Sequence, residues 1–417
     1  MTPLILLSIM LPIYGICCLW SKKIMGIWIN HYTIFTFITI GSLFLYFKHP
    51  PVKVSDETLN VFIWGLFFYD ITIFFFKKHH FNNILRKDWL PISIPYRILI
   101  VTIILLVPFY LTLRNQLQSG LELWQIRATR GEVRNANDGM IYLYAISPFV
   151  MILTVLSFYQ LFENVSKYLS RNQLLIGTVL IITIIGLIDG GGRTGLMTFF
   201  FVYILAVVFN KTEWRIILNT NAQFKWYIMA IPLLVIVLMT SLRGISSGET
   251  SFIDAVSNSY TMHILLFDWY YQGNWFEFHP QTWGLSTFES PILFLNRLSK
   301  ICIGQEIPYE SVDSTIQKFR YVGNGLSYNA CSTMYFRFIR DWGMLGIVIG
   351  PMLVSTCLTT LYKASIRNKF YFLIYLYSLS IVCQLHNELI FSKVSFLLFI
   401  LYMIIIKYLF CKRRREI

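Results

Sequence analysis

Long apolar stretches, each about the length of a bilayer crossing and separated by short polar runs, dominate the chain. A span needs about 20 mostly apolar residues, because hydrocarbon offers the backbone no partner outside the helix itself. Eleven segments fit: 3–20, 32–47, 59–76, 97–113, 140–162, 173–189, 194–209, 226–242, 342–362, 371–387 and 394–410. They predict an all-α, polytopic membrane protein, with residues 1–417 forming one membrane domain. The largest share of the remaining residues lies between the eighth and ninth spans, in a loop over 243–341. The opening stretch reads as a span and not a signal peptide. No basic region precedes it, and Cys17-Cys18 run into Leu19-Trp20 instead of a small-residue cleavage site.

Within the long loop, residues 252–271 are fairly apolar but carry Asp254, Asn258, His263 and Asp268. Ile253, Val256, Tyr260, Ile264, Phe267 and Tyr271 recur at helical spacing, with the polar residues opposite. That pattern predicts an amphipathic helix lying at the interface rather than a twelfth span.

Composition agrees with the pattern. Hydrophobic residues make up 56% of the chain and charged residues 13%, against roughly 25% charged in a soluble domain. A net charge of +14 would suggest nucleic acid in a soluble protein; here it is an orientation signal. Lys22, Lys23, Lys77, Lys78, Arg86, Lys87, Lys167, Arg171, Lys211, Arg215, Lys225, Lys363, Arg367 and Lys369 fall on alternate loops. The terminal Lys412-Arg413-Arg414-Arg415 shares their side, which the positive-inside rule makes the cytoplasm. The inner side then holds 20 basic and 4 acidic residues, the outer side 15 and 16, with Asp70 inside the third span. Among seven cysteines, Cys302 and Cys331 share the outer loop, as a disulfide or as two thiols, and no metal-type spacing occurs.

The outer side favours arginine. Ten Arg (114, 127, 130, 134, 193, 243, 297, 320, 337 and 340) stand there against five Lys, whereas the inner side has eight Arg and twelve Lys. Arginine's planar fork grips phosphate in bidentate fashion, so outward arginines near a membrane suit an anionic ligand such as a lipid phosphate. Pairing with outer carboxylates is the alternative, since the long loop holds nine of them against seven basic residues.

Three clusters concentrate this chemistry. Asp189-Gly190-Gly191-Gly192-Arg193-Thr194-Gly195 joins two spans, as an anion-binding turn beside a helix N-terminus or as a hairpin with Asp189 paired to Arg193. Ser241-Leu242-Arg243-Gly244 marks a span's exit into the long loop, where an arginine can also snorkel to headgroups. Residues 328–346 bring two Arg, an Asp and several hydroxyls to the mouth of the ninth span, which is costly without a polar cavity. Arg337 and Asp341, four apart, could also form a local salt bridge. Arg127, Arg130 and Arg134 recur at helical spacing in the 114–139 loop, nearly balanced by Glu122, Glu132 and Asp138. They form either a solvated helix face or an electrostatic funnel.

With its span count, one large outer loop before the last three spans, the GGGRTG hairpin, the SLRG exit and the NACSTMYFRFIRDWGMLGIVIGP passage, the chain resembles the Wzy-type O-antigen polymerases. The resemblance implies an inner-membrane glycosyltransferase of GT-C architecture acting in lipopolysaccharide biosynthesis. It also implies undecaprenyl-diphosphate-linked oligosaccharide as donor and acceptor, no cofactor or metal, and a chain-length regulator and a flippase as pathway partners. Such a reaction needs positive charge on the departing diphosphate and a base for the attacking hydroxyl. Arg127, Arg130, Arg193, Arg243, Arg320, Arg337 and Arg340 are the candidates for the first role. For the second, Asp341 and His263 lead a field that includes Asp189, Asp268, Glu289, Asp313, His386 and Glu388. Two other functions remain open: an O-antigen ligase delivering glycan to lipid A–core, and a flippase for the same lipid-linked sugars. The flippase would be expected to show internal repeats and charged mid-membrane residues; Asp70 alone fits the second.

Overall fold

In a computed structural model, the structure describes residues 2–77, 88–89, 93–121, 141–159, 168–188, 194–209, 252–273, 275–279, 281–305, 309, 311–316, 320–328, 333–385, 389–410 and 412–413. Helices dominate. In chain order they are α1 (Pro3–Met25), α2 (His31–Lys48), α3 (Asp56–Ile71), α4 (Ser93–Gln118), α5 (Ser147–Tyr159), α6 (Tyr168–Ile188) and α7 (Thr194–Phe209). The long loop contains α8 (Phe252–Gln272), α9 (Trp275–Phe278), α10 (Glu289–Ile303), α11 (Val312–Ile316) and α12 (Thr333–Trp342). Then follow α13 (Gly346–Arg367), α14 (Lys369–Val382) and α15 (Val394–Phe410). Four short strands form two antiparallel pairs. β1 (Asp88–Trp89) pairs with β4 (Lys412–Arg413), and β2 (Arg320–Gly323) with β3 (Leu326–Tyr328).

Ten of the eleven predicted apolar segments coincide with helices, and the other, 226–242, lies outside the described residues. Among the described residues four stretches are long and apolar enough to cross a membrane: Pro3–Met25, Asp56–Phe75, Ser93–Gln118 and Thr333–Ile366. Shorter apolar helices cover Tyr142–Ser157, Gln173–Ile188, Phe370–Val382 and Val394–Phe410.

The chain divides into two compact units. Unit 1 comprises residues 1–84, 253–367 and 381–397; unit 2 comprises 85–252, 368–380 and 398–417. In unit 2 the core is a seam of every-seventh residues: Leu99, Leu106 and Leu113 on α4, Ile146 and Leu153 on α5 and the turn before it, and Leu174, Ile181 and Ile188 on α6. A seven-residue repeat keeps one stripe of each helix turned to its neighbours.

In unit 1 the helix ends follow local rules. Asn30 and Thr33 cap α2 reciprocally, and Gly26 closes α1 in the left-handed conformation, φ 75°. Ser55 caps α3 by accepting from the Thr58 N–H, while its hydroxyl and N–H donate to Asp268 on α8 at 2.8 and 3.0 Å. One residue thus starts a helix and ties the long loop to it.

Two sequence expectations are refined here. The 252–271 segment is helical. Its Thr261, His263, Ile264, Leu265, Leu266, Phe267 and Tyr270 are buried within unit 1, polar and apolar positions alike, while Tyr260 and Trp269 are exposed. The ninth apolar segment does not begin at Trp342. Gly343, at φ 58°, breaks the chain into a 3-10 turn, and α13 starts at Gly346.

Candidate functional site

The site is built around α12, whose sequence TMYFRFIRDW is too polar for a lipid-facing helix, yet every residue from Thr333 to Asp341 is buried. Close packing makes room for it. A Cβ on Gly65 of α3 would overlap the Tyr335 ring, and one on Gly346 or Gly350 of α13 would overlap Phe338. These three glycines let α12 wedge between α3 and α13.

Burial obliges the polar side chains to find partners. Arg337 pairs with Glu289 at the start of α10 and donates to the Ser286 carbonyl at 2.9 Å. Glu289 also accepts from the Val312 N–H at 2.7 Å. The arginine's counter-ion thus stands 48 residues away, and not at Asp341 one turn along. Asp341 serves the segment before α10. It accepts from the N–H groups of Ser286 (2.9 Å) and Thr287 (2.7 Å) and from the hydroxyls of Thr282 and Thr287 (both 2.5 Å). Two further bonds, Thr282 N–H to Arg340 carbonyl and Trp283 N–H to Asp341 carbonyl, both 3.1 Å, fasten the same turn to the end of α12.

Two other loop arginines rest on aromatic faces. The Arg340 guanidinium lies 5.2 Å from the Trp275 ring centroid, and that of Arg320 lies 4.8 Å from Trp269 and 5.9 Å from Tyr270. The rings join the two. Tyr270 is 5.9 Å from Trp275 and 4.9 Å from Phe336, Trp275 is 4.9 Å from Phe336, and His279 stacks on Trp275 at 3.8 Å. Tyr309, whose hydroxyl donates to the Leu285 carbonyl at 3.2 Å, borders this cluster. Burial, aided by Glu289, pushes its phenol up to about 12, with Arg340 and Arg337 pulling the other way. Burial also pushes the Tyr270 phenol up, and Arg320 opposes it.

Of the sequence candidates, the structure brings Arg320, Arg337, Arg340 and Asp341 into this one region. His263 lies on α8, buried, with its ring edge-on to Phe62 of α3 at 5.6 Å. Phe62 in turn meets Tyr335 at 5.3 Å. Arg127, Arg130, Arg193 and Arg243 lie outside the described residues, as do Asp189, Cys331, His386 and Glu388. Cys302 is exposed at the end of α10.

Reasoning from sequence missed the aromatic platform of Trp269, Tyr270 and Trp275, and the staple formed by Thr282, Ser286 and Thr287. The platform had a visible signal, seven aromatic residues among the twelve from Phe267 to Phe278. Chemically, Arg320 on the exposed Trp269 suits a ligand that is anionic at one end and ring-shaped at the other, while Arg340 and Tyr270 are themselves buried. No protein-family model, curated protein or solved structure matches the chain.

Proposed function

We propose that the chain is a multi-pass enzyme of the bacterial inner membrane, with eleven spans and a GT-C-like architecture. It joins undecaprenyl-diphosphate-linked repeat units into O-antigen or a related surface polysaccharide. The observation that supports this reading is the pairing of Arg320 and Arg340 with the Trp269–Tyr270–Trp275 rings, with Arg340 just before the apolar helix α13, which continues the Thr333–Ile366 stretch long enough to cross a membrane. A lipid-linked glycan needs those three features together: a diphosphate receptor, a surface for sugar rings and an apolar wall for the polyprenyl chain.

In the reaction, a hydroxyl oxygen of the acceptor repeat unit bonds to the anomeric carbon of the donor chain. The bond from that carbon to the diphosphate oxygen breaks, and its electron pair leaves with undecaprenyl diphosphate. Arg320 and Arg340 stabilise the charge that develops there. Arg337 is committed to Glu289, so its part is to hold α12 in place. Asp341, already accepting four hydrogen bonds, is a positioning residue that fixes the turn beside Arg340. The hydroxyl's proton then goes to His263 or to a group outside the described residues.

Deletion of the chain from the cells that make it, followed by complementation, tests the reading. Deletion should reduce the polysaccharide ladder to single-repeat product, and Arg340→Ala or Arg320→Ala should fail to restore it at normal protein level. Lipid-linked polymer accumulating in the membrane would indicate a ligase. Single lipid-linked units held at the cytoplasmic face would indicate a flippase, the reading that a buried Asp70 favours.

A further inference from the structure

Unit 1 holds a second set of polar side chains, in the interior of α1, α2, α3 and α13. Asp70, next to the C-terminal residue of α3, is fully buried. Its Oδ2 lies 2.8 Å from Thr36 Oγ1 on α2, and its Oδ1 has no hydrogen-bond partner. Among the described residues no ion pair joins it to a cation. From α13 come the hydroxyls of Ser355 and Thr359, with His31 bonded to Thr359 at 3.1 Å.

Counting hydrogens identifies the form of the carboxyl. Thr36 Oγ1 also lies 2.7 Å from the Tyr32 carbonyl, and a hydroxyl has one hydrogen to give. An ionised Asp70 would compete with that carbonyl for it and keep its other lone pairs unsatisfied in an apolar interior, which strongly disfavours the charged form. A protonated Asp70 resolves both distances. Its O–H donates to Thr36, and Thr36 donates to Tyr32. Oδ1 then remains a neutral carbonyl-type acceptor, which is less costly to bury unpaired than a charged oxygen.

Further uncommitted groups continue towards one end of the bundle. Thr39 and Ser42 on α2, and Thr58 and Asn60 on α3, are each buried at a side-chain oxygen that makes no hydrogen bond. At 1.5 Å rise per residue, Thr39 and Ser42 stand about 5 and about 9 Å beyond Thr36 along α2. Asn60 stands about 15 Å from Asp70 along α3. All four lead towards the 49–55 connection, where the long loop docks: Asn324 donates to the Pro51 carbonyl at 2.7 Å, and Ser55 donates to Asp268. In the other direction the hydroxyls are mutually bonded. Tyr32 meets Thr72 (3.0 Å) and Thr359 (2.8 Å), and Thr72 meets Ser355 (2.5 Å).

We propose that Asp70 is an intramembrane proton-binding site, partnered by Thr36. Protons reach it from the long-loop end of α2 and α3 along Asn60, Ser42 and Thr39, and the bonded hydroxyls close it towards His31. The step is a simple protonation: one carboxylate oxygen gains a proton from solvent and no other bond changes. The site stands apart from the glycosyl-transfer reading and does not depend on it.

Infrared spectroscopy of the full chain in lipid nanodiscs tests this. At neutral pH the wild type should show a carboxylic-acid C=O band that Asp70→Asn lacks, and the band should shift in Thr36→Val and on transfer to deuterium oxide. A carboxylate signature for Asp70 would overturn the proposal. So would an acid band that deuterium oxide never shifts, since the path would then be sealed. Loss of the acid band on adding sodium chloride at fixed pH would replace the proton with a metal cation and equally overturn it. If Asp70→Asn does not accumulate, Thr36→Val decides alone, because an unshifted acid band there removes the assigned partner.

Discussion

Replacing Asp341 with asparagine separates a structural carboxylate from a catalytic base. The carboxylate receives two backbone N–H groups and two hydroxyls, all at 2.9 Å or less. Asparagine keeps one acceptor oxygen and presents an NH2 to the other pair of donors. A threonine hydroxyl can rotate and accept from that NH2, at a loss of about 1 kcal/mol, but a backbone N–H cannot turn away. Leaving it buried and unpaired costs about 1–3 kcal/mol, so Asp341→Asn should lose about 2–4 kcal/mol in all. Thermal unfolding in nanodiscs, compared with glycan extension measured on the protein that remains folded, provides the assay. The staple reading expects a lower melting temperature and near-normal activity per folded molecule. An unchanged melting temperature with extension abolished would refute it and make Asp341 the base.

Other outcomes follow from the same packing. Gly65→Ala should destabilise unit 1 by about 1–3 kcal/mol by pushing on Tyr335, and adding Tyr335→Leu should recover part of that in a melting experiment. Glu289→Gln should cost about 3–5 kcal/mol by leaving Arg337 buried without its counter-charge, whereas Arg337→Met with Glu289→Leu should be far milder. Trp275→Ala removes the ring beneath Arg340 and should weaken extension through a higher requirement for lipid-linked substrate, read as KM, more than through kcat. Because burial first, and Glu289 second, raise the Tyr309 phenol to about 12, the unfolded chain loses that proton first as pH rises. Its stabilising contribution is therefore complete below about pH 10 and declines between about 10 and about 12. Tyr309→Phe should reduce the slope of stability against pH in that window.

Sequence reading located what is locally encoded. Apolar runs became helices because apolarity over 16 or more residues is read one residue at a time, and glycine set an end as expected at Gly26. It went astray where distant residues decide. Periodicity set a polar face against an apolar one in 252–271, but Ser55, 213 residues away, binds Asp268, and His263 on the polar face is buried. Spacing offered Asp341 as Arg337's partner, whereas the fold brings in Glu289. The break at Gly343 was hidden by an apolar run continuing through Met344, Leu345 and beyond. Arginine enrichment drew attention to the 320–341 region as a concentration of charge. It did not reveal which of those charges are matched by carboxylates and which rest on tryptophan rings.

The most direct test of the polymerase reading is reconstitution. The purified chain in lipid vesicles, given undecaprenyl-diphosphate-linked repeat units and a metal chelator, should release undecaprenyl diphosphate as longer lipid-linked glycans appear. One diphosphate lipid should be released for each repeat unit joined, and Arg340→Ala should abolish both. Wild-type protein that moves the lipid-linked units across the bilayer without lengthening them, or lengthens them only when lipid A–core is supplied, would contradict the account.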